Sequence, residues 1–204
     1  MSDNTGGDVA YSATFNFNAS RGQHEEDVYY VRVAPTASSL TLLSAASRLT
    51  HGGAGTFDIA MPLTGISGVE DRSSSTYNAV FTFDGAVTSG DVTVVSGSAT
   101  VATISFSGNT ITAQLTGVTS AEVVTLRVQN INGDGQQHGD VPFGFLSGDA
   151  DANRTVQKPD QNLVQSQIQQ PVTSANFRED VVANGKINNQ DKQAVKANAG
   201  ASIP

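Results

Sequence analysis

The last quarter of this chain is written twice. At an offset of 31 residues, Asp149 matches Asp180, Ala152 matches Ala183 and Asn153 matches Asn184. Val156 then matches Ile187, Gln157 matches Asn188, Asp160 matches Asp191 and Val164 matches Val195. Whatever the first copy folds into, the second must fold into as well, so the segment predicts two equivalent units packed together.

The matched positions carry a definite chemistry. Calcium takes 6–8 oxygen ligands, and a 12-residue loop supplies them from positions 1, 3, 5, 7, 9 and 12. In the first copy these are Asp149, Asp151, Asn153, the Thr155 carbonyl, Gln157 and Asp160. In the second they are Asp180, Val182, Asn184, the Lys186 carbonyl, Asn188 and Asp191, so position 3 offers no oxygen. Val156 and Ile187 hold position 8, where an apolar residue lets two paired loops contact each other. After position 12 each copy reads as a short helix. Leu163, Val164 and Ile168 form the apolar face of the first, and Ala194, Val195 and Ala199 that of the second. A carboxylate at each helix start also suits the helix dipole.

The rest of the chain alternates. Val9, Tyr11, Ala13, Phe15 and Phe17 share one face, and Tyr29, Val31 and Val33 another. Further strand-like runs are Leu40–Leu42, Phe57–Met61, Tyr77–Phe83, Val92–Val95, Val101–Phe106, Ile111–Leu115, Val123–Val128 and Phe143–Leu146. Residues 44–51 either continue a strand or do not; the pattern leaves both open. Short strands of period two, divided by Gly, Asn and Ser, predict an all-β sandwich. Ser107-Gly108-Asn109 reads as a tight hairpin turn. Residues 1–7 read as a flexible leader, 8–147 as the sandwich, and 148–204 as a separate small module. Residues 8–36 are either part of that sandwich, an added hairpin, or the remnant of a preceding domain.

A net charge of −8 opposes binding to nucleic acid, which needs a basic footprint. No run approaches the ~20 apolar residues of a membrane span. There is no cysteine, hence no disulfide and no thiolate metal site. Met1–Gly7 lacks the basic and apolar regions of a signal peptide, so a secreted protein would have had its signal removed or carried in a longer parent.

Residues 149–200 resemble the type I dockerin domain, which pairs two loops of the form D-x-[ND]-x-[ND]-G-x-[VI]-[NT]-x-x-D, each followed by a helix. DVVANGKINNQD (180–191) keeps the centre of that pattern, and DADANRTVQKPD (149–160) keeps its acidic positions. Residues 38–146, with RLTHGGAGTFDIAMPLTG and YNAVFTFDGAVTSGDVTV, look like the bacterial Ig-like modules that precede such repeats. The resemblance implies a mainly β protein: an Ig-like antiparallel β-sandwich with a small C-terminal α-helical dockerin-like module that binds Ca2+. It also implies secretion or a cell-surface location in a bacterium, and a cohesin-like protein partner. Three departures stand out. Arg154 replaces the turn glycine of the first loop, Val182 removes a ligand from the second, and Gln161 and Lys192 make the helices more polar.

No catalytic constellation is legible, so the chain reads as non-enzymatic. Asn132-Gly133-Asp134-Gly135 and His24–Asp27 read as solvated turns, and His51 as a loop or packing residue. Two uses of the module are open beside a cohesin-like partner: packing on its own sandwich, and contact with neighbouring subunits. A structural subunit of a filament or surface layer, homo-oligomeric through donation of strand Val9–Phe17, is the alternative function.

Overall fold

The computed structural model describes residues 39–204. The expected strands at Val9–Phe17 and Tyr29–Val33, and the turn at His24–Asp27, lie outside the described residues.

The described chain is mainly β. Its strands are β1 (Leu42–Thr50), β2 (Thr56–Met61), β3 (Gly68–Glu70), β4 (Thr76–Phe83), β5 (Asp91–Ser96), β6 (Thr100–Ser107), β7 (Thr110–Thr116), β8 (Glu122–Gln129) and β9 (Gln137–Phe145). Two helices follow, α1 (Lys158–Gln167) and α2 (Asn189–Ala197). One sheet has the order β2-β1-β4-β7-β6 and the other β3-β9-β8-β5.

The alternating residues build the core. Ala79, Phe81 and Phe83 of β4, Ile111, Ala113 and Leu115 of β7, and Val124, Leu126 and Val128 of β8 are all buried in one cluster with Phe143. Burying each large aliphatic or aromatic side chain contributes roughly 1.5–3 kcal/mol, which is what holds two such sheets together. Residues 44–50 do continue a strand, with Ala45, Ser47 and Leu49 turned inward. Gly108 takes a positive φ of 59° in the two-residue turn between β6 and β7.

One expectation needs correction. The sandwich is not purely antiparallel, because β3 runs parallel to β9, pairing Val69 with Gly144. At three residues, β3 is too short to show a period. It also carries Glu70, whose buried charge hides it further.

A second apolar cluster supports the C-terminal segment. Ala150, Val156, Val164, Val172, Val181, Ile187, Val195 and Ile203 meet there with Val69 of β3 and Leu146 just after β9. The helices contribute little to it. Leu163, expected on the inner face of α1, is 37% exposed, and Ala199 lies exposed beyond the end of α2. The small helical segment therefore completes its core with sandwich residues. At Gly144 an added Cβ would stand 2.6 Å from Ile203 Cδ1 and 2.7 Å from the Gly68 carbonyl, so chain end and sheet are in close contact.

Candidate metal centre

The two twelve-residue loops share one main-chain hydrogen-bond scheme around their position-1 and position-12 carboxylates. In the first, the amides of Asn153 and Arg154 donate to Asp149 at 3.1 and 2.8 Å. In the second, the amides of Asn184 and Gly185 donate to Asp180 at 3.1 and 2.7 Å. The position-12 carboxylate closes each loop from the far side. Asp160 accepts from the amides of Asp151 and Gln157, and Asp191 from those of Val182 and Asn188. The position-5 side-chain oxygens accept from the main chain two residues on in both loops, Asn153 Oδ1 from the Thr155 amide and Asn184 Oδ1 from the Lys186 amide, each at 3.0 Å. Backbone angles repeat too: Ala152 and Ala183 have φ of 58° and 49°, Arg154 and Gly185 of 75° and 84°.

The ligand sets differ. Asp149, Asp151 and Asp160 place one carboxylate oxygen each within 4.8 Å of the others. Calcium–oxygen bonds of 2.3–2.6 Å put two ligands of one ion at most ~5 Å apart, so the three fit a shared cation. Asp149 and Asp160 are buried and Asp151 is exposed, which leaves an open side. Burial, reinforced by the neighbouring charges of Asp151 and Asp160, raises Asp149 to about 6. A cation relieves that repulsion. The second loop has two carboxylates, Asp180 and Asp191, both buried. Burial likewise raises Asp191 above the usual carboxylate range.

The remaining expected ligands are placed at the loops in other ways. Asn153, Gln157 and Asn184 are exposed, Thr155 is half-buried, and Thr155 pairs with Ser202 in a β-bridge. Asn188 donates from its side-chain nitrogen to the Lys186 carbonyl at 3.1 Å and accepts from the Gln190 amide at 2.7 Å. Amide and carbonyl oxygens keep a second lone pair after one such bond. The donors are hard oxygens throughout, which suits calcium rather than a thiolate-seeking metal.

The position-8 residues, Val156 and Ile187, are both buried in the shared cluster. Their main chains meet the segments after the opposite helices. Val156 exchanges bonds with Gly200 and Ala201, and the Ile187 carbonyl accepts from Gln169.

Sequence reasoning missed what stands behind the loops. Arg154, read only as a misplaced glycine, reaches Ser67 of the sandwich, donating from Nη1 to the carbonyl at 2.7 Å. His51, read as a loop or packing residue, is fully buried, and its Nδ1 lies 2.8 Å from Asp180 Oδ2. Arg72 lies behind His51, with Nη1 3.2 Å from Nε2, and forms a two-pronged pair with Glu70 at 2.7 and 2.6 Å. No spacing rule links residues 51 and 180. The one available hint was glycine: Gly52 and Gly185 face each other's turns, and a Cβ on Gly52 would lie 2.3 Å from the Asn184 carbonyl.

No family model, curated protein or solved structure matches the chain.

Proposed function

We propose that this chain is a non-catalytic binding and assembly protein of the bacterial exterior, whose C-terminal module is stabilised by calcium. The observation that carries the reading is the convergence of Asp149, Asp151 and Asp160 inside a loop whose hydrogen-bond scheme recurs at Asp180–Asp191. Calcium would supply charge neutralisation and cross-link both ends of the loop, which a thin core cannot do alone. Asp149, Asp151 and Asp160 would hold the ion at the first loop, with Asn153, Thr155 and Gln157 beside them. Asp180, Asn184, Lys186, Asn188 and Asp191 would form the weaker second site. The outward helix faces, with Leu163 exposed on α1, are where a protein partner of the cohesin-like kind would bind.

Calcium titration by calorimetry tests this, on the wild type and on Asp149→Ala/Asp151→Ala. Saturable binding with a raised melting temperature, reduced in the double variant, is the expected result. Heats indistinguishable from dilution at millimolar calcium would sink it.

A second reading, a structural subunit of a filament or surface layer, is favoured by β6, the edge strand of its sheet among the described residues. Val101, Ile104 and Phe106 oppose the fully buried Leu115, Ala113 and Ile111, yet are themselves half-buried or exposed. The strand has no charge and no proline, the usual guards of a free edge. The donor strand this reading calls on, Val9–Phe17, lies outside the described residues. Deleting residues 1–20 should leave a folded monomer that no longer assembles; an unfolded monomer would contradict it.

A further inference from the structure

Loop two lacks a ligand and yet is the better supported of the two. Val182 occupies the position where the first loop has Asp151, so one carboxylate is missing. What the second loop has instead comes from the sandwich. Asp180 Oδ2 faces His51 Nδ1 at 2.8 Å in addition to the Gly185 amide, whereas among the described residues Asp149 takes no side-chain donor from the sandwich.

The hydrogen-bond inventory fixes the direction of that contact. Arginine carries donors only, so Arg72 Nη1 donates and His51 Nε2 accepts. The proton of the ring is then on Nδ1, and His51 donates to Asp180 Oδ2. Arg72 is itself immobilised. It bonds Glu70 twice, the carbonyls of Phe57 and Ser47 once each, and lies over the Phe177 ring at 5.4 Å. The His51 ring also meets Phe57 and Phe177 edge to face. With all three polar side chains at 0% exposure, the Glu70–Arg72–His51 chain is shielded from solvent.

The backbones seal the same contact. Gly52 and Gly185 both have positive φ, and a Cβ on either would strike the other turn's carbonyl region at 2.3 and 2.7 Å. The second loop is thus pressed main chain to main chain against the His51-Gly52-Gly53 turn.

We infer that His51, oriented by Arg72, is a positioning residue for the second calcium loop: it fixes Asp180 from the sandwich side and offsets the ligand lost at Val182. Calcium binding at Asp180–Asp191 then depends on the contact between the second loop and the His51 turn. This rests on the calcium reading above. Partners in the outer shell of a metal hold its ligands in place, and losing one typically lowers affinity 10–100-fold.

The test is a calcium titration of the full chain by calorimetry, comparing wild type, His51→Ala and His51→Asn. Asp149→Ala/Asp151→Ala identifies which binding step belongs to the first loop. His51→Ala should weaken the second-loop step by about 10–100-fold and leave the first-loop step in place. That retained step shows the variant is folded. His51→Asn should recover most of the loss, because its amide N–H stands close to where the ring Nδ1–H was. An unchanged second-loop affinity in His51→Ala overturns the inference. So does an Asn variant no better than Ala, which would mean packing alone. A wild type that binds calcium at the first loop only also overturns it and leaves the calcium reading standing. A wild type that binds none removes both.

Discussion

Loop one and loop two share a backbone and differ in their surroundings. The first collects three carboxylates and reaches the sandwich through one long side chain, Arg154 to Ser67. The second has two carboxylates and is held by a buried polar chain running Glu70, Arg72, His51, Asp180. One loop draws its polar groups from its own sequence. The other is met by residues more than a hundred positions away. A repeated fold can therefore sit in two unlike surroundings, and the sandwich is the source of the asymmetry.

Removing Arg72 should break the comparison most forcefully. Arg72→Leu leaves Glu70 buried without its counter-charge and His51 without its donor. Loss of one partner of a buried pair costs roughly 3–5 kcal/mol. Urea unfolding should show that loss, and hydrogen exchange should rise at the Asn184 and Gly185 amides before it rises at Asn153 and Arg154. Equal opening of the two loops would mean that the polar chain supports the whole module rather than its second half.

Asp71 touches the approaches to both loops and gives the comparison a pH axis. Its carbonyl accepts from Gly148, ahead of the first loop, and Arg178, ahead of the second, lies 3.0 Å from its carboxylate. That contact is not aligned as a hydrogen bond, and neither carboxylate oxygen has a hydrogen-bond partner among the described residues. Complete burial outweighs Arg178 and pushes Asp71 up to about 8. Folded Asp71 keeps its proton up to that pH, while unfolded Asp71 gives it up near its ordinary value of 3.8. Between the two, folding takes up a proton, so each rise in pH weakens the fold by up to about 1.4 kcal/mol per unit. Asp71→Asn should flatten the decline in melting temperature from pH 5 to 8. A wild-type slope that persists in the variant would assign it to other groups.

These residues also mark the limit of what the sequence displays. The strands of the core were legible because Tyr77, Ala79, Phe81 and Phe83, or Val124, Leu126 and Val128, repeat every second position and bury one face. The loops were legible because ligand spacing is local and was written twice. Glu70, Asp71, Arg72 and His51 were not, since nothing local distinguishes a buried polar residue from a solvated one. Their burial depends on β3 running beside β9 and on the second loop closing over the His51 turn. Arg154 was visible as a departure, but its partner Ser67 lies 87 residues away. The inner helix faces read as wider than they are, because no element covers Leu163 among the described residues.

Val182→Asp would make the second loop resemble the first. A third carboxylate at position 3 should raise calcium affinity there about tenfold, or about 1.4 kcal/mol. The same change should lower the melting temperature without calcium, because it adds a like charge beside Asp180 and Asp191. Calorimetry and melting with and without chelator read both halves. A gain in affinity would show that ligand count limits the second loop; no gain would show that it does not.

The smallest effect concerns Arg154, and it separates strain from contact. A side chain at φ 75° costs roughly 1–2 kcal/mol relative to glycine, which takes that conformation freely. The bond to Ser67 offsets this by about 1 kcal/mol or more, since its donor is charged. Arg154→Ala keeps the strain and loses the contact, so it should be the less stable variant. Arg154→Gly loses the contact and releases the strain, so it should unfold about 1 kcal/mol later than Arg154→Ala and close to the wild type. If both variants fall equally, the turn is not strained, and the bond to the sandwich alone explains why arginine stands where the second loop has Gly185.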